Sequence, residues 1–143
     1  MSAMPETRTN PQQVPIWISA VVILGAFLMI AGALIAILRP AMLANPHDEI
    51  NNAVRVYAGY LFSRNLALGA SLLIALLLRA RTSLNMLLML AAFTNFADAI
   101  VDCAEARWPV VPGVVVLAIA FAVASASLAG GPFWRVKSWR GEN

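Results

Sequence analysis

The sequence is poor in charged residues, which make up 12% of its 143 residues, whereas a soluble domain carries about 25%. It has one cysteine, Cys103, which excludes an internal disulfide. Its one histidine lies in His47-Asp48-Glu49, which lacks the spacing of a metal site. The basic residues are scattered at the ends of apolar segments, so the net charge of +3 does not indicate a nucleic-acid surface. We therefore expect no metal, no cofactor and no nucleic-acid partner.

Long apolar runs are what the sequence has instead, since 61% of its residues are hydrophobic. Each run reaches the roughly 20 residues that a helix needs to cross a bilayer. The runs are too long for membrane strands and do not alternate between apolar and polar residues. We predict an all-α fold, a bundle of four transmembrane helices forming one integral membrane domain over 1–143. The predicted spans are about 14–38, 54–78, 84–106 and 110–130.

The distribution of lysine and arginine predicts the orientation of this bundle, because short cytoplasmic loops collect these residues. With four spans, the head, the second connection and the tail share one side. That side carries six basic residues: Arg8, Arg79, Arg81, Arg135, Lys137 and Arg140. The opposite side carries three, Arg39, Arg55 and Arg107. We expect both termini in the cytoplasm and a multi-pass protein of the inner (plasma) membrane, with membrane lipids as its surroundings.

The third predicted span carries a polar stripe. Asn95, Asp98, Asp102 and Glu105 are separated by three, four and three residues, which places them on one face of a helix. Ionisable residues within a span most often mark a site for a substrate, an ion or a proton. The stripe is therefore the first candidate for function.

The second span carries a matching stripe of Tyr57, Tyr60 and Arg64, with Asn65 beside it. At a rise of about 1.5 Å per residue, Arg64 lies roughly 15 Å below the outer start of its span and Asp98 roughly 12 Å below the outer end of the third. An unpaired arginine at this depth costs about 2.5 to 3.5 kcal/mol. We expect the two residues to pair in the bundle interior.

These stripes predict a cavity that binds a lipophilic small molecule and transforms it by proton transfer, as an isomerase or a cyclase does. Asp98 or Asp102 is the predicted acid or base, and Arg64 holds the partner carboxylate ionised or stabilises developing negative charge. Asp98 is the expected partner of Arg64. Asp102 is then either a second partner for Arg64 or the carboxyl that exchanges protons. The predicted substrate-binding residues are Asn65, Asn95, Tyr60, Tyr57 and Glu105.

Other functions fit the same sequence. Arg64 and Asp98 can be a structural clamp between two helices. A second alternative is a non-enzymatic accessory subunit that docks a larger membrane complex, and a third is a proton-coupled carrier that works as an oligomer. Small residues at helical spacing suit packing within the bundle or between protomers of a homo-oligomer: Gly25 and Gly32 on the first span, and Ala118, Ala122, Ala126 and Gly130 on the fourth. A closed apolar cavity beside Arg64 favours the enzyme, a filled bundle core favours the subunit, and a water path that continues past Asn85 favours the carrier.

A short motif in the second span carries a family resemblance: Arg64-Asn65-Leu66-Ala67-Leu68-Gly69, followed about thirty residues later by Asp98-Ala99. It resembles small bacterial four-helix membrane proteins grouped with the DoxX-like proteins. The resemblance implies a compact bundle with a polar pocket between helices two and three, formed here by Arg64, Asn65, Asn95 and Asp98. It implies no activity. More distantly, the architecture is similar to membrane isomerases and cyclases of sterols and terpenoids, but this chain has no histidine in its spans and no acid in its first span.

Overall fold

The structure, a computed structural model, describes residues 14–42 and 51–129. Within these residues the chain forms four α-helices and no strand. The helices are α1 Ile16–Leu38, α2 Asn52–Leu77, α3 Arg81–Ala104 and α4 Val111–Leu128, with a 3-10 turn, Pro40–Met42, after α1. Each helix is long and apolar enough to span a membrane. For these residues the all-α class is confirmed, as is the prediction of four helices that are long and apolar enough to span a membrane.

The helix ends lie close to the predicted ones, and side-chain hydrogen bonds accompany the earlier starts of α2 and α3. The α2 helix begins at Asn52 because the side chain of Asn51 accepts a hydrogen bond from the N–H of Val54, at 3.1 Å. The α3 helix begins at Arg81 rather than at 84. The Arg81 guanidinium donates to the carbonyl of Leu128 at 3.4 Å, and this negative end of α4 favours a cation. The predicted end of the fourth span at 130 lies outside the described residues.

The four helices associate as two antiparallel pairs. Contacts are dense between α1 and α2 and between α3 and α4, and sparser between α2 and α3 and between α1 and α4. Gly69 of the sequence motif explains the close approach within the first pair. A Cβ atom there would lie 2.9 Å from Cγ1 of Ile30 and 3.2 Å from the carbonyl oxygen of Ala26. Glycine at this position therefore allows the backbone of α2 to pack against α1.

A filled core occupies the half of the bundle that contains the connection between α2 and α3. Its buried side chains come from all four helices and include Val22, Leu72, Leu88 and Phe121. Within this half the polar side chains of Asn85 and Ser125 satisfy each other, since the Ser125 hydroxyl donates to Oδ1 of Asn85 at 2.7 Å. The core fills the interior of this half, and a small cavity of about 300 Å³ at its edge is lined by Val14, Ser19, Leu76 and Arg79. The predicted site residues lie in the opposite half.

Some of the small residues predicted to mediate helix packing lie between helices of the same chain. A Cβ atom on Gly25 would overlap the ring of Phe121, so this glycine makes room for a core side chain of α4. Ala118 is buried as well. Gly32 has open space beside it, with nothing within 4 Å of a Cβ atom. Gly130, at the end of the predicted stripe, lies outside the described residues.

Candidate functional site

A partly open cavity of about 310 Å³ lies in the half of the bundle that the core leaves unfilled. Small-molecule sites have volumes of about 300 to 1,000 Å³, so the cavity has the size of a small binding site. All four helices and the connection between α3 and α4 contribute to its wall. Most of the lining is apolar and includes Met29, Leu61, Val114 and Leu117. The polar side chains of the lining come from α2, α3 and the connection that follows α3.

Five of the predicted site residues line this cavity: Tyr57, Asn65, Asn95, Asp98 and Asp102. On α2 the lining face comprises Tyr57, Leu61 and Asn65, which are four residues apart and share one helical face. The predicted face of Tyr57, Tyr60 and Arg64 was therefore wrong by about one residue of rotation. Tyr60 is 73% exposed, outside the lining.

Arg64 and Asp98 form a bidentate ion pair, as predicted. Nη1 of Arg64 donates to Oδ1 of Asp98 at 3.0 Å, and Nη2 donates to Oδ2 at 2.7 Å. Charge-assisted pairs of this geometry are among the strongest hydrogen bonds in proteins. The side chains are 39% and 27% exposed, so the pair lies at the seam between α2 and α3 and not in the bundle interior. It joins the two helix pairs at the level of the cavity.

Asp102 also has an arginine partner, but this partner is Arg107, which corrects the expectation that Asp102 is a second partner for Arg64. Nη1 of Arg107 lies 2.9 Å from Oδ1 of Asp102. The turn after α3 brings Arg107 back over the helix end. Ala106 adopts the left-handed conformation, with φ 54°, and the N–H of Arg107 then donates to the carbonyl of Asp102 at 2.8 Å. Glu105, which precedes the turn, is exposed and outside the cavity lining.

The polar wall of the cavity comprises the polar lining residues of α2, α3 and the connection after α3. Its two asparagines, Asn65 and Asn95, each have one hydrogen-bonding group that the described residues leave unused. Asn95 is 7% exposed, and its Nδ2 donates to the carbonyl of Ala91 at 2.8 Å. Its Oδ1 accepts no hydrogen bond from the described residues. Oδ1 of Asn65 accepts from Nε of Arg64 at 3.4 Å, while its Nδ2 donates to none of the residues that the structure describes. The two asparagines therefore offer one acceptor and one donor, in addition to the two ion pairs and to Tyr57.

The apolar side of the cavity was not predicted. Leu28, Met29 and Gly32 of α1 contribute to it, as do Gly113 and Leu117 of α4. Apolar side chains in a membrane helix give no signal that separates a cavity wall from a lipid-facing surface. The glycines of this wall leave the cavity open, because a Cβ atom at Gly32 or Gly113 would meet nothing within 4 Å.

Across residues 14–42 and 51–129, no group of three or more histidine, cysteine, aspartate or glutamate side chains is placed to hold a metal ion. His47-Asp48-Glu49 lies outside the described residues. No protein-family model matches the sequence, and no curated protein or solved structure is significantly similar to it. The resemblance to the DoxX-like proteins stays a prediction.

Proposed function

We propose that this protein binds a lipophilic small molecule in the cavity between its two helix pairs. The observation that carries the proposal is a cavity of about 310 Å³ whose lining includes Asn65, Asn95, Asp98 and Asp102. Each of the two aspartates is paired with an arginine. A largely apolar pocket with a few convergent polar groups is the usual form of a ligand site. Ionisable residues inside a membrane bundle have the same implication. The apolar lining suits a molecule that reaches the site from the bilayer.

The same geometry weighs against the other candidate functions. A structural clamp requires the pair of Arg64 with Asp98 but not a second pair and two asparagines beside a cavity. An accessory subunit does not require an unfilled half of its core. A proton relay past Asn85 would have to cross the buried side chains of Leu88 and Phe121, and Asn85 is itself bonded to Ser125. Ligand binding accounts for more of the structure than any of these.

Acid-base transformation of the bound molecule, of the isomerase or cyclase type, is a second proposal built on the first. Its support is the position of Asp98 and Asp102, which lie four residues apart on α3 and both line the cavity. One carboxyl can exchange a proton with the ligand while its arginine compensates the change in charge. Arg64, the partner of Asp98, lies on α2, so this pair joins two helices, whereas Arg107, the partner of Asp102, lies on the connection after α3. We therefore assign a structural role to Asp98 and proton exchange to Asp102.

Filling the cavity should remove the bound molecule. We expect Gly32→Leu to lower the amount of co-purified lipophilic compound, measured by mass spectrometry of organic extracts, by at least about tenfold. Gly32 lines the cavity and a Cβ atom there would meet nothing within 4 Å, so the leucine side chain starts in open space and competes with the ligand. A tenfold loss corresponds to about 1.4 kcal/mol of binding free energy.

Gly59→Leu is the matched control. Gly59 also lies within a helix with nothing within 4 Å of a Cβ atom, but it does not line the cavity. The control variant should retain the wild-type amount of compound. Equal amounts in all three folded proteins, or no specific compound in any of them, would contradict ligand binding at this site.

We further propose that both termini face the cytoplasm and that the protein resides in the plasma membrane. The cavity then opens in the outer half of the bilayer. Cys103 allows a direct test because it is exposed near the end of α3 that borders the cavity. A membrane-impermeant maleimide should label Cys103 in intact spheroplasts, and a reporter fused after Asn143 should be active in the cytoplasm. Labelling from the cytoplasmic side alone would reverse the orientation, and Cys103→Ser provides the background.

A further inference from the structure

The charges around the cavity compensate each other, which bears on the ligand that the proposed site would take. Two arginines face two aspartates, each arginine bonded to one carboxylate at 2.7 and 2.9 Å. An anionic head group would have to displace a carboxylate from its arginine, and a cationic one would have to displace an arginine. Either exchange leaves one charge without its partner beside a largely apolar cavity, which is costly in a medium of low dielectric constant. An uncharged head group leaves both pairs intact.

Apart from Tyr57, which is 57% exposed, the remaining polar side chains of the lining are the two asparagines, and these define the chemistry of such a head group. Oδ1 of Asn95 can accept a hydrogen bond, and Nδ2 of Asn65 can donate one; neither is used by the residues that the structure describes. Asn95 is 93% buried, since it is 7% exposed, so a ligand that ignores its Oδ1 leaves a buried acceptor unsatisfied. A hydroxyl group both donates and accepts. It therefore complements the two asparagines with a single polar atom.

We infer that the cavity recognises an uncharged lipophilic alcohol, whose hydroxyl donates to Oδ1 of Asn95 and accepts from Nδ2 of Asn65. The inference rests on the proposed binding function and specifies its ligand class. Asn65 and Asn95 determine specificity for the hydroxyl, while the apolar side of the cavity, including Met29 and Leu117, accommodates the hydrocarbon. The two ion pairs stay closed around the bound head group.

Four probes built on a chain of twelve carbon atoms test the class: dodecanol, dodecyl methyl ether, dodecanoate and dodecylammonium. Each isotope-labelled probe is titrated at equal mole fraction into nanodiscs that contain the full chain, and bound probe is measured by mass spectrometry. The ether retains the acceptor oxygen but cannot donate to Asn95. We expect dodecanol to bind about tenfold more tightly than the ether, and more tightly than either charged probe.

Asn95→Leu should abolish the preference for dodecanol over the ether while binding of the ether persists. Thr94→Leu is the matched control, because Thr94 also makes an intrahelical hydrogen bond, to the carbonyl of Leu90 at 2.8 Å, but does not line the cavity. That variant should keep the preference. If Thr94→Leu keeps the preference for dodecanol, the loss in Asn95→Leu is not a general effect of removing a polar side chain that bonds to its own helix.

The outcomes separate the ligand class from the function on which it rests. Equal binding of dodecanol and the ether, or tightest binding of dodecanoate, would overturn the alcohol class. If Gly32→Leu weakens the binding of those same probes, the proposal that the cavity binds a ligand still stands. If Gly32→Leu weakens the binding of none of the probes, or if no probe binds the wild-type protein, the proposed binding function is wrong. The proposed alcohol class is then wrong as well.

Discussion

Replacing Asp98 with leucine should lower the free energy of unfolding in a bilayer by about 3 kcal/mol, because Arg64 then loses its partner at membrane depth. The lost contacts are two hydrogen bonds of 3.0 and 2.7 Å. Arg64→Leu should lower the free energy of unfolding by about 2 to 3 kcal/mol, because it leaves the carboxylate of Asp98 without its partner. The double variant should be less destabilised than the sum of the two by about 2 kcal/mol, because neither charge remains.

Reversible unfolding of bilayer-reconstituted protein measures this coupling. Arg55→Leu combined with Asp98→Leu is the control cycle, because Arg55 lies nine residues before Arg64 on the same helix. Its two effects should add to within about 0.5 kcal/mol. The same additivity for Arg64 with Asp98 would show that the observed pair contributes nothing to stability.

The ion pair of Arg64 with Asp98 also links α2 to α3 beside the cavity. Contacts between α2 and α3 are sparse, and the ion pair is the link that the structure places between these helices beside the cavity. The other half of the bundle is held by the shared core. Loss of the pair should therefore affect the ligand site more than the core half, and ligand binding should decrease in the single variants before the helices themselves are lost.

The pair could be predicted from the sequence because a simple energetic constraint determines it. A charge at membrane depth requires a partner, and only a few residues in this chain lie at the depth of Arg64. The four helices followed similarly from the length of the apolar runs. Both inferences use the bilayer as a strong and uniform constraint, and the structure agrees with them.

The partner of Asp102 could not be predicted in the same way. It depends on Ala106 adopting φ 54°, a conformation that glycine favours and alanine does not. No sequence signal therefore marked the turn that returns Arg107 to the end of α3. The rotation of α2 was likewise missed by about one residue, because Arg64 reaches Asp98 along the seam with a long side chain while the shorter Asn65 faces the cavity.

The largest functional effect should come from Asp102. If the bound molecule is transformed by acid-base chemistry, Asp102→Asn should leave a folded, ligand-binding protein whose conversion of that molecule falls by about 10²- to 10⁴-fold. Asparagine keeps the shape of the side chain and removes its capacity to exchange a proton at the carboxyl. Asp98→Asn should instead reduce stability and conversion together, because its carboxylate holds Arg64 across the α2 and α3 seam.

Glu105→Gln is the matched control for this comparison, since Glu105 follows the same helix and undergoes the same chemical change outside the cavity lining. Cells that express each variant are compared by mass spectrometry for the bound compound and for its isomers or cyclised products. Wild-type conversion is expected in Glu105→Gln and a build-up of unconverted compound in Asp102→Asn. If folded Asp102→Asn gives the wild-type product pattern while Gly32→Leu still removes the compound, the cavity binds its ligand without transforming it by proton exchange at Asp102.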